Sequence, residues 1–304
     1  MNNTLIAITG ATASGKTKLA IELAKQIDAE IISCDSRQIY SEFDIAVAKP
    51  TLEEQQGIKH YMLGIIPPSQ TFSGSDFCEL AQNYIEEIQK KGKKVIVVGG
   101  TGFYFRILLE GLTLTQVKPN LKLREELETL AQKEGKNAVF EILKEHDYEA
   151  SKKIHPNNLD KVIRAIEISK ELNKPMSDTG VNFSPKYDVL WIGVDFRDRQ
   201  KLYNRINLRV DKMIESGLEK EAKELFNKYG EISTLANTIG YQEFLPYFNG
   251  ETTLEEVIEK IKQNTRRYAK RQLTWFRAND KIHWFYNDEE SFEDILKNVL
   301  SLYK

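Results

Sequence analysis

Apolar residues along the chain fall into two kinds of segment that alternate. Leu5–Thr9 is a short continuous apolar run, the pattern of a strand buried on both faces. After the turn Gly10–Thr17, residues Leu19, Ala20, Leu23 and Ala24 recur at helical spacing. Glu30–Cys34 reads as a second strand ending on Asp35, and Lys94–Val98 as a third ending in Gly99-Gly100-Thr101. Between them Asp76–Lys90 carries Phe77, Leu80, Ala81, Tyr84, Ile85 and Ile88 on one helical face. Strands that alternate with helices predict a parallel sheet with crossover helices. From 114 to 185 the pattern changes. Helical spacing runs through 121–133, 137–145 and 158–172, with no strong strand. Asp188–Phe196 then returns as a strand, followed by helices over Arg199–Ser216, Glu219–Lys228 and Leu254–Arg277. A last strand, Lys281–Tyr286, and a closing helix, Glu289–Leu302, complete the chain. The predicted fold is therefore α/β: a parallel-sheet core over 1–113 and 186–304, interrupted by an all-helical insertion at 114–185.

Composition narrows the classes. At 304 residues the chain has room for about two domains. Its 41% hydrophobic content is enough for a core and speaks against wholesale disorder. No apolar run is long enough to span a membrane, and the N-terminal residues lack a signal-peptide pattern. Two cysteines, Cys34 and Cys78, make neither a disulfide framework nor a four-Cys zinc site. These features predict a reduced, cytosolic protein with no membrane partner, and a monomer. A net charge of −2 gives no bulk attraction for nucleic acid, although an average hides local patches.

Gly10-Ala11-Thr12-Ala13-Ser14-Gly15-Lys16-Thr17 matches G-x-x-x-x-G-K-[ST], the phosphate-binding P-loop, in the strand–turn–helix context that it needs. Its amides and the helix N-terminus suit phosphate oxygens, Lys16 neutralises charge, and Thr17 can ligate Mg²⁺. The motif indicates a P-loop nucleoside-triphosphate-hydrolase or kinase-like core, a grip for a nucleotide or another diphosphate, without stating the chemistry. The third strand lacks the terminal Asp common in nucleotide hydrolases, which leaves Asp35 as the better-placed acid. Ligands of open parallel sheets bind outside the carboxyl ends of the strands, so the P-loop, Asp35 and Thr101 are expected to line one crevice.

Two basic stripes follow. Lys201, Arg205, Arg209 and Lys212 flank the apolar stripe Leu202, Ile206, Val210 and Met213. Residues 260–277 carry seven Lys or Arg and no acid, with Tyr268, Trp275 and Phe276 interleaved. Basic residues with aromatics point to an anionic polymer such as RNA. The insertion adds Lys152, Lys153, His155, Lys161 and Arg164.

The ordered set GATASGKT (10–17), DSRQIY (35–40), AKP (48–50), FSGSDF (72–77), GGTGFY (99–104), IHPNN (154–158), RAIE (164–167), GYQE (240–243) and KRQLTWFR (270–277) resembles the bacterial tRNA dimethylallyltransferases, also called tRNA isopentenyltransferases, over nearly the whole chain. The resemblance implies transfer of a dimethylallyl group from its diphosphate to N6 of the adenosine beside the anticodon (position 37), in tRNAs reading codons that start with U. It implies a P-loop that holds prenyl diphosphate in place of ATP, and a helical insertion that grips the anticodon stem-loop. It matches Asp35 to the acid that accepts the N6 proton, Thr101 and Arg209 to diphosphate contacts, and Lys16 to the P-loop lysine. It matches Asp35, Ser36, Arg37, Gln38, Thr101, Arg124, Asp160, Lys161, Val162, Ile163, Arg164, Thr238, Ile239, Gly240, Tyr241, Gln242, Glu243, Lys270, Arg271, Gln272, Trp275 and Arg277 to tRNA-contacting positions. The chain departs from the common pattern at Ala11, where Pro is usual, at Ala46-Val47, where Gly-Thr precedes AKP, and at Asn158, where Asp is usual.

The chemistry suits these residue types. An aromatic amine is a weak nucleophile, so Asp35 can take its proton as the C–N bond forms. Lys16, Arg209, P-loop amides and Mg²⁺ stabilise the departing diphosphate, with Arg205 one turn away to assist. The alternatives are a small-molecule or nucleotide kinase, an isopentenyltransferase acting on free AMP or ATP, and a non-catalytic RNA-binding module.

Overall fold

The computed structural model describes residues 4–303 apart from 114, 116 and 181. The expected domain boundary at 114 and part of the N-terminal reading lie outside the described residues. The chain divides into two compact units: Met1–Glu110 with Pro185–Lys304, and Gly111–Ser184.

Among the described residues the strands are β1 (Leu5–Gly10), β2 (Ala29–Cys34), β3 (His60–Tyr61), β4 (Lys94–Gly99), β5 (Val189–Asp195) and β6 (His283–Tyr286). The helices of seven residues or more are α1 (Lys16–Ile27), α2 (Gly74–Lys90), α3 (Gly102–Leu108), α4 (Leu121–Glu134), α5 (Lys136–His146), α6 (Leu159–Leu172), α7 (Arg199–Glu215), α8 (Leu218–Tyr229), α9 (Leu254–Phe276) and α10 (Phe292–Tyr303).

The first unit holds one all-parallel sheet in the order β3-β2-β4-β1-β5-β6. Its strands are apolar on both faces because both faces are covered. Leu5 and Ala7 join the core with α2, α3 and α9, while Ile6 and Ile8 pack with α1 and α10. Leu19 and Leu23 of α1 are fully buried, each stabilising by about 1.5–3 kcal/mol through burial alone. Two strand ends require glycine. A Cβ on Gly10 would lie 2.1 Å from the Val194 carbonyl oxygen, and one on Gly99 2.1 Å from that of Cys34. These close approaches bring the ends of β1, β2, β4 and β5 together at the carboxyl edge of the sheet.

In the second unit α4, α5 and α6 close around Leu127, Val139, Phe140, Leu143, Val162, Ile163 and Ile166. The Glu167 carboxylate is 1% exposed and accepts hydrogen bonds from Arg124, Arg164 and the Asn120 N–H. Burial alone raises its pKa, but those donors outweigh it and bring it down to about 2.

Strand β3 and helix α3 went unpredicted. The former is only two residues long, and the latter begins inside the Gly-rich turn, whose glycines read as loop. The last helix begins at Phe292 and not at Glu289, because the Ser291 hydroxyl accepts the Asp294 N–H there as a cap.

Candidate active site

The carboxyl edge of the sheet opens on a cavity of about 410 Å³ in the first unit. It is lined by P-loop residues Thr12, Lys16 and Thr17, by Asp35–Gln38 after β2, and by Gly99-Gly100 after β4. Arg209 of α7, the 237–240 turn, and Tyr268, Arg271 and Gln272 of α9 close it. A second opening shares Lys16, Thr17 and Arg209 and adds Ala13, Gly15 and Arg205. Thus the expected phosphate grip and the expected acid meet, although α7 and α9 lie far from the P-loop in the chain.

The P-loop is held by side chains from outside it. Gln272 Oε1 accepts the Thr12 N–H at 2.8 Å, Arg205 Nε donates to the Ala13 carbonyl at 3.0 Å, and Asn287 Nδ2 donates to the Ser14 carbonyl at 2.7 Å. Ala13 takes a left-handed φ of 62° and Gly15 one of 97°, the curl that turns successive amides inward. The first N–H groups of α1 have no carbonyl within the helix to bond. Ser14 Oγ is buried and has no partner among the described residues. Lys16 Nζ donates to the Ala11 carbonyl. Thr12 N–H and Ser14 N–H are thus already bonded, and the free amides at the start of α1 are the donors that suit an anion.

The electrostatics agree. Burial, then the neighbouring Arg209, lowers the Lys16 pKa to about 7, against the opposing pull of Asp35 and Asp195. Burial likewise lowers Arg209, with Arg205 adding to the effect. Among the described residues neither Lys16 nor Arg209 forms a salt bridge. Asp35 Oδ1 accepts the N–H groups of Arg37 at 2.8 Å and Gln38 at 3.3 Å, which fixes the carboxylate on its loop. Tyr268 faces the same cavity, and burial followed by the Asp35 charge raises its pKa. The same cavity also has apolar lining: Ile206, Val210 and Met213 of α7, Ile261 of α9, and Val47.

No group of three or more His, Cys, Asp or Glu able to hold a metal occurs among the described residues. The Thr17 hydroxyl and Asp35 carboxylate do line the cavity as hard oxygen donors. That sparse set suits Mg²⁺, which commonly takes one or two protein oxygens and fills its sphere with phosphate oxygens and water.

The structure places several of the expected residues in other surroundings. Thr101 does not line the cavity. Its hydroxyl accepts the Ser36 N–H at 3.0 Å and its N–H donates to the Cys34 carbonyl, so it bolts the β4 turn to the Asp35 loop. The Ala11 side chain is buried under α7 and α9. Val162 and Ile163 are core residues of the second unit. Tyr241 is fully buried, with its hydroxyl on Glu221 at 2.8 Å. Thr238 and Glu243 are also buried, and Glu243 accepts from Gly240 N–H, Gln242 and Asn264 to shape the turn. Arg124 and Arg164 are spent on Glu167, and Arg277 binds buried Asp195 together with Arg199. Of the 260–277 stripe, Lys262 pairs with Asp211 and Glu259, and Arg266 bonds Asn207. Lys270, Arg271 and Trp275 are exposed, as are Asp160 and Lys161 on the second unit.

Asn287, Asp195, Glu221 and Gln272 were missed as organisers of the site. Gln272 did carry a signal, since it interrupts the apolar face formed by Ala269, Leu273 and Phe276.

Known proteins share this sequence and architecture. A family model described as IPP transferase matches residues 38–279. A tRNA dimethylallyltransferase of Acetivibrio thermocellus is 47% identical over 304 residues, covering 98% of this chain and 96% of the relative. Its counterpart in Thermoanaerobacter sp. (strain X514) is 44% identical over 302 residues, with 97% and 96% covered. The crystal structure of the full-length tRNA isopentenylpyrophosphate transferase of Bacillus halodurans matches with a TM-score of 0.75 at 39% identity, over 99% of this chain and 96% of that one. A eukaryotic dimethylallyltransferase solved acting on tRNA gives a TM-score of 0.78 at 30% identity, over 94% and 74%.

Proposed function

The chain belongs to the IPP transferase family and is a tRNA-prenylating enzyme, and from that premise we propose that it moves a dimethylallyl group from dimethylallyl diphosphate to N6 of adenosine 37, beside the anticodon, in tRNAs that read codons starting with U. The observation that carries this reading is the placement of two half-buried cations, an acid and apolar side chains around one cavity. A kinase would need the cations and has little use for the apolar side chains. A module that only bound RNA would need neither Lys16 nor Asp35.

Lys16, Arg209 and the P-loop amides hold the diphosphate. The C5 chain lies against Ile206, Val210, Met213 and Ile261, away from water that would otherwise hydrolyse it. The adenine enters beside Asp35. N6 forms its bond to the allylic carbon as the carbon–oxygen bond to diphosphate breaks, and Asp35 Oδ takes the N6 proton. Negative charge gathers on the departing diphosphate, where Lys16 and Arg209 are already in place. Thr17 would hold Mg²⁺, which would supply further neutralisation of that charge. Asp35–Gln38, Gln242 and Arg271 border the acceptor, and exposed Lys270 and Trp275 contact the RNA beyond it. Unstacking the target base costs a few kcal/mol, which those contacts offset.

The test is incubation with Mg²⁺ and labelled dimethylallyl diphosphate, using unmodified tRNA, AMP or ATP as acceptor. Label is expected in tRNA at adenosine 37. Label in AMP or ATP alone, or in no acceptor, would refute the proposal.

A further inference from the structure

The Gln272 side chain is 5% exposed and lies where three elements meet. Its Oε1 accepts the Thr12 N–H of the P-loop at 2.8 Å, and its Nε2 donates to the Gly100 carbonyl after β4 at 3.0 Å. The partners fix which end is which: an N–H only donates and a carbonyl only accepts, so a flipped amide would lose both bonds. Helix α9 is anchored behind it by buried Ala269, Leu273 and Phe276. The space is reserved as well, because a Cβ on Gly100 would sit 2.0 Å from Gln272 Nε2.

The two bonds reach the two ends of the chemistry. Thr12 belongs to the loop that carries Lys16. Gly100 adjoins Thr101, whose hydroxyl accepts the Ser36 N–H at 3.0 Å, next to Asp35. We propose that Gln272 is a positioning residue that sets the P-loop relative to the Asp35 turn, and so aims the loop amides at the donor diphosphate. It touches neither substrate in this assignment. It rests on the donor reading above and predicts a selective loss: donor binding weakens, while acceptor binding does not.

The experiment uses the full chain. Gln272→Met keeps length and loses both bonds. Gln272→Glu loses the donor while ionised and regains it when protonated, since a carboxylic acid has one O–H donor and one carbonyl acceptor. Affinity for inorganic pyrophosphate with Mg²⁺ is measured by calorimetry across pH, as a ratio to wild type at each pH. KM for dimethylallyl diphosphate and for tRNA is measured beside it. Gln272→Met is expected to weaken pyrophosphate binding and raise the donor KM at least tenfold, with the tRNA KM within about threefold. Gln272→Glu should approach wild type as pH falls, and Gln272→Met should show no such recovery. Gly100→Ala should reproduce the Gln272→Met loss, and the double variant should add nothing further. Should Gln272→Met fail to fold, the pH-dependent recovery of Gln272→Glu decides alone. Ratios within twofold of wild type at every pH, or a tRNA KM that rises as much as the donor KM, overturn the proposal. Wild-type protein that binds no pyrophosphate overturns the donor reading and this proposal with it; normal wild-type binding with unaltered variants overturns this proposal alone.

Discussion

Two groups of buried charge use arginine in opposite ways. In the helical unit Glu167 is matched by Arg124, Arg164 and a backbone N–H, and its pKa is brought down to about 2. In the sheet unit Lys16 and Arg209 lie near each other without a salt bridge among the described residues, and both are shifted toward losing their protons. The first cluster is complete within the chain. The second is a deficit of negative charge that the chain leaves for a ligand to fill. A matched buried ion cluster reads as structure, whereas a pair of half-buried cations shifted against their charge reads as a site.

This contrast can be broken by substitution. The largest effect is expected at the cations and the acid: Lys16→Ala, Arg209→Ala and Asp35→Ala should each lower kcat/KM by roughly 10²–10⁴-fold in steady-state transfer assays. Asp35→Ala should leave tRNA affinity within about threefold, and thermal unfolding of all three should stay close to wild type. An Asp35→Ala enzyme with wild-type turnover would remove it as the base.

Glu167→Ala should behave in the reverse sense. Two guanidinium groups lose their carboxylate, which costs about 3–5 kcal/mol in urea unfolding of the chain. The pH dependence has a definite sign. The folded pKa lies below the ordinary value of 4.5, so this stabilisation is complete above about pH 4.5 and is lost as pH falls toward about 2. Glu167→Gln should flatten the stability profile in that window; an unaltered profile would show that the cluster is not what holds α4 to α6.

Lys16 gives a smaller, sharper signal. Its folded pKa of about 7 lies below the ordinary 10.5, so between these values the folded chain holds fewer protons than the unfolded one. Its burial costs stability below about pH 7, and that cost fades as pH rises toward 10.5. A bound diphosphate restores the charge. Pyrophosphate binding at about pH 8.5 should therefore take up close to one proton, measured by calorimetry in buffers of different ionisation enthalpy. Proton release, or none in either direction, would contradict the charge-deficit reading.

The smallest effect divides the basic stripe. Lys270→Ala should reduce the salt slope of tRNA binding by about one unit, while Lys262→Ala, whose ammonium already pairs with Asp211 at 2.8 Å, should leave the slope unchanged. Equal slopes for the two variants would erase the distinction between free and spent cations.

The same distinction marks what could be read from the sequence. Strands β1, β4 and β5 are legible as largely apolar runs, β2 by its Ile31-Ile32 pair before Asp35, and the P-loop by its rigid spacing. Asp35 was placed correctly at the cavity by topology alone, since the end of β2 must face the ends of β1 and β4. The stripe at 260–277 showed its charge and hid its partners. Asp195 and Asp211 lie over 50 residues upstream, and no local pattern reveals that they consume Arg277 and Lys262. Val162 and Ile163 lie between two motif blocks and Tyr241 inside one, but a motif can mark a packed turn as readily as a contact surface. Helical spacing around Val162 and Ile166 would have placed them in the core.

The bond from Lys16 to the Ala11 carbonyl has a kinetic consequence. An ammonium in a closed cavity would bind a departing pyrophosphate all the more tightly if it had nowhere else to turn. Here a loop carbonyl within the same eight-residue loop can receive it. On the donor reading proposed above, loss of product would be an exchange of oxygen partners for the cation within that loop.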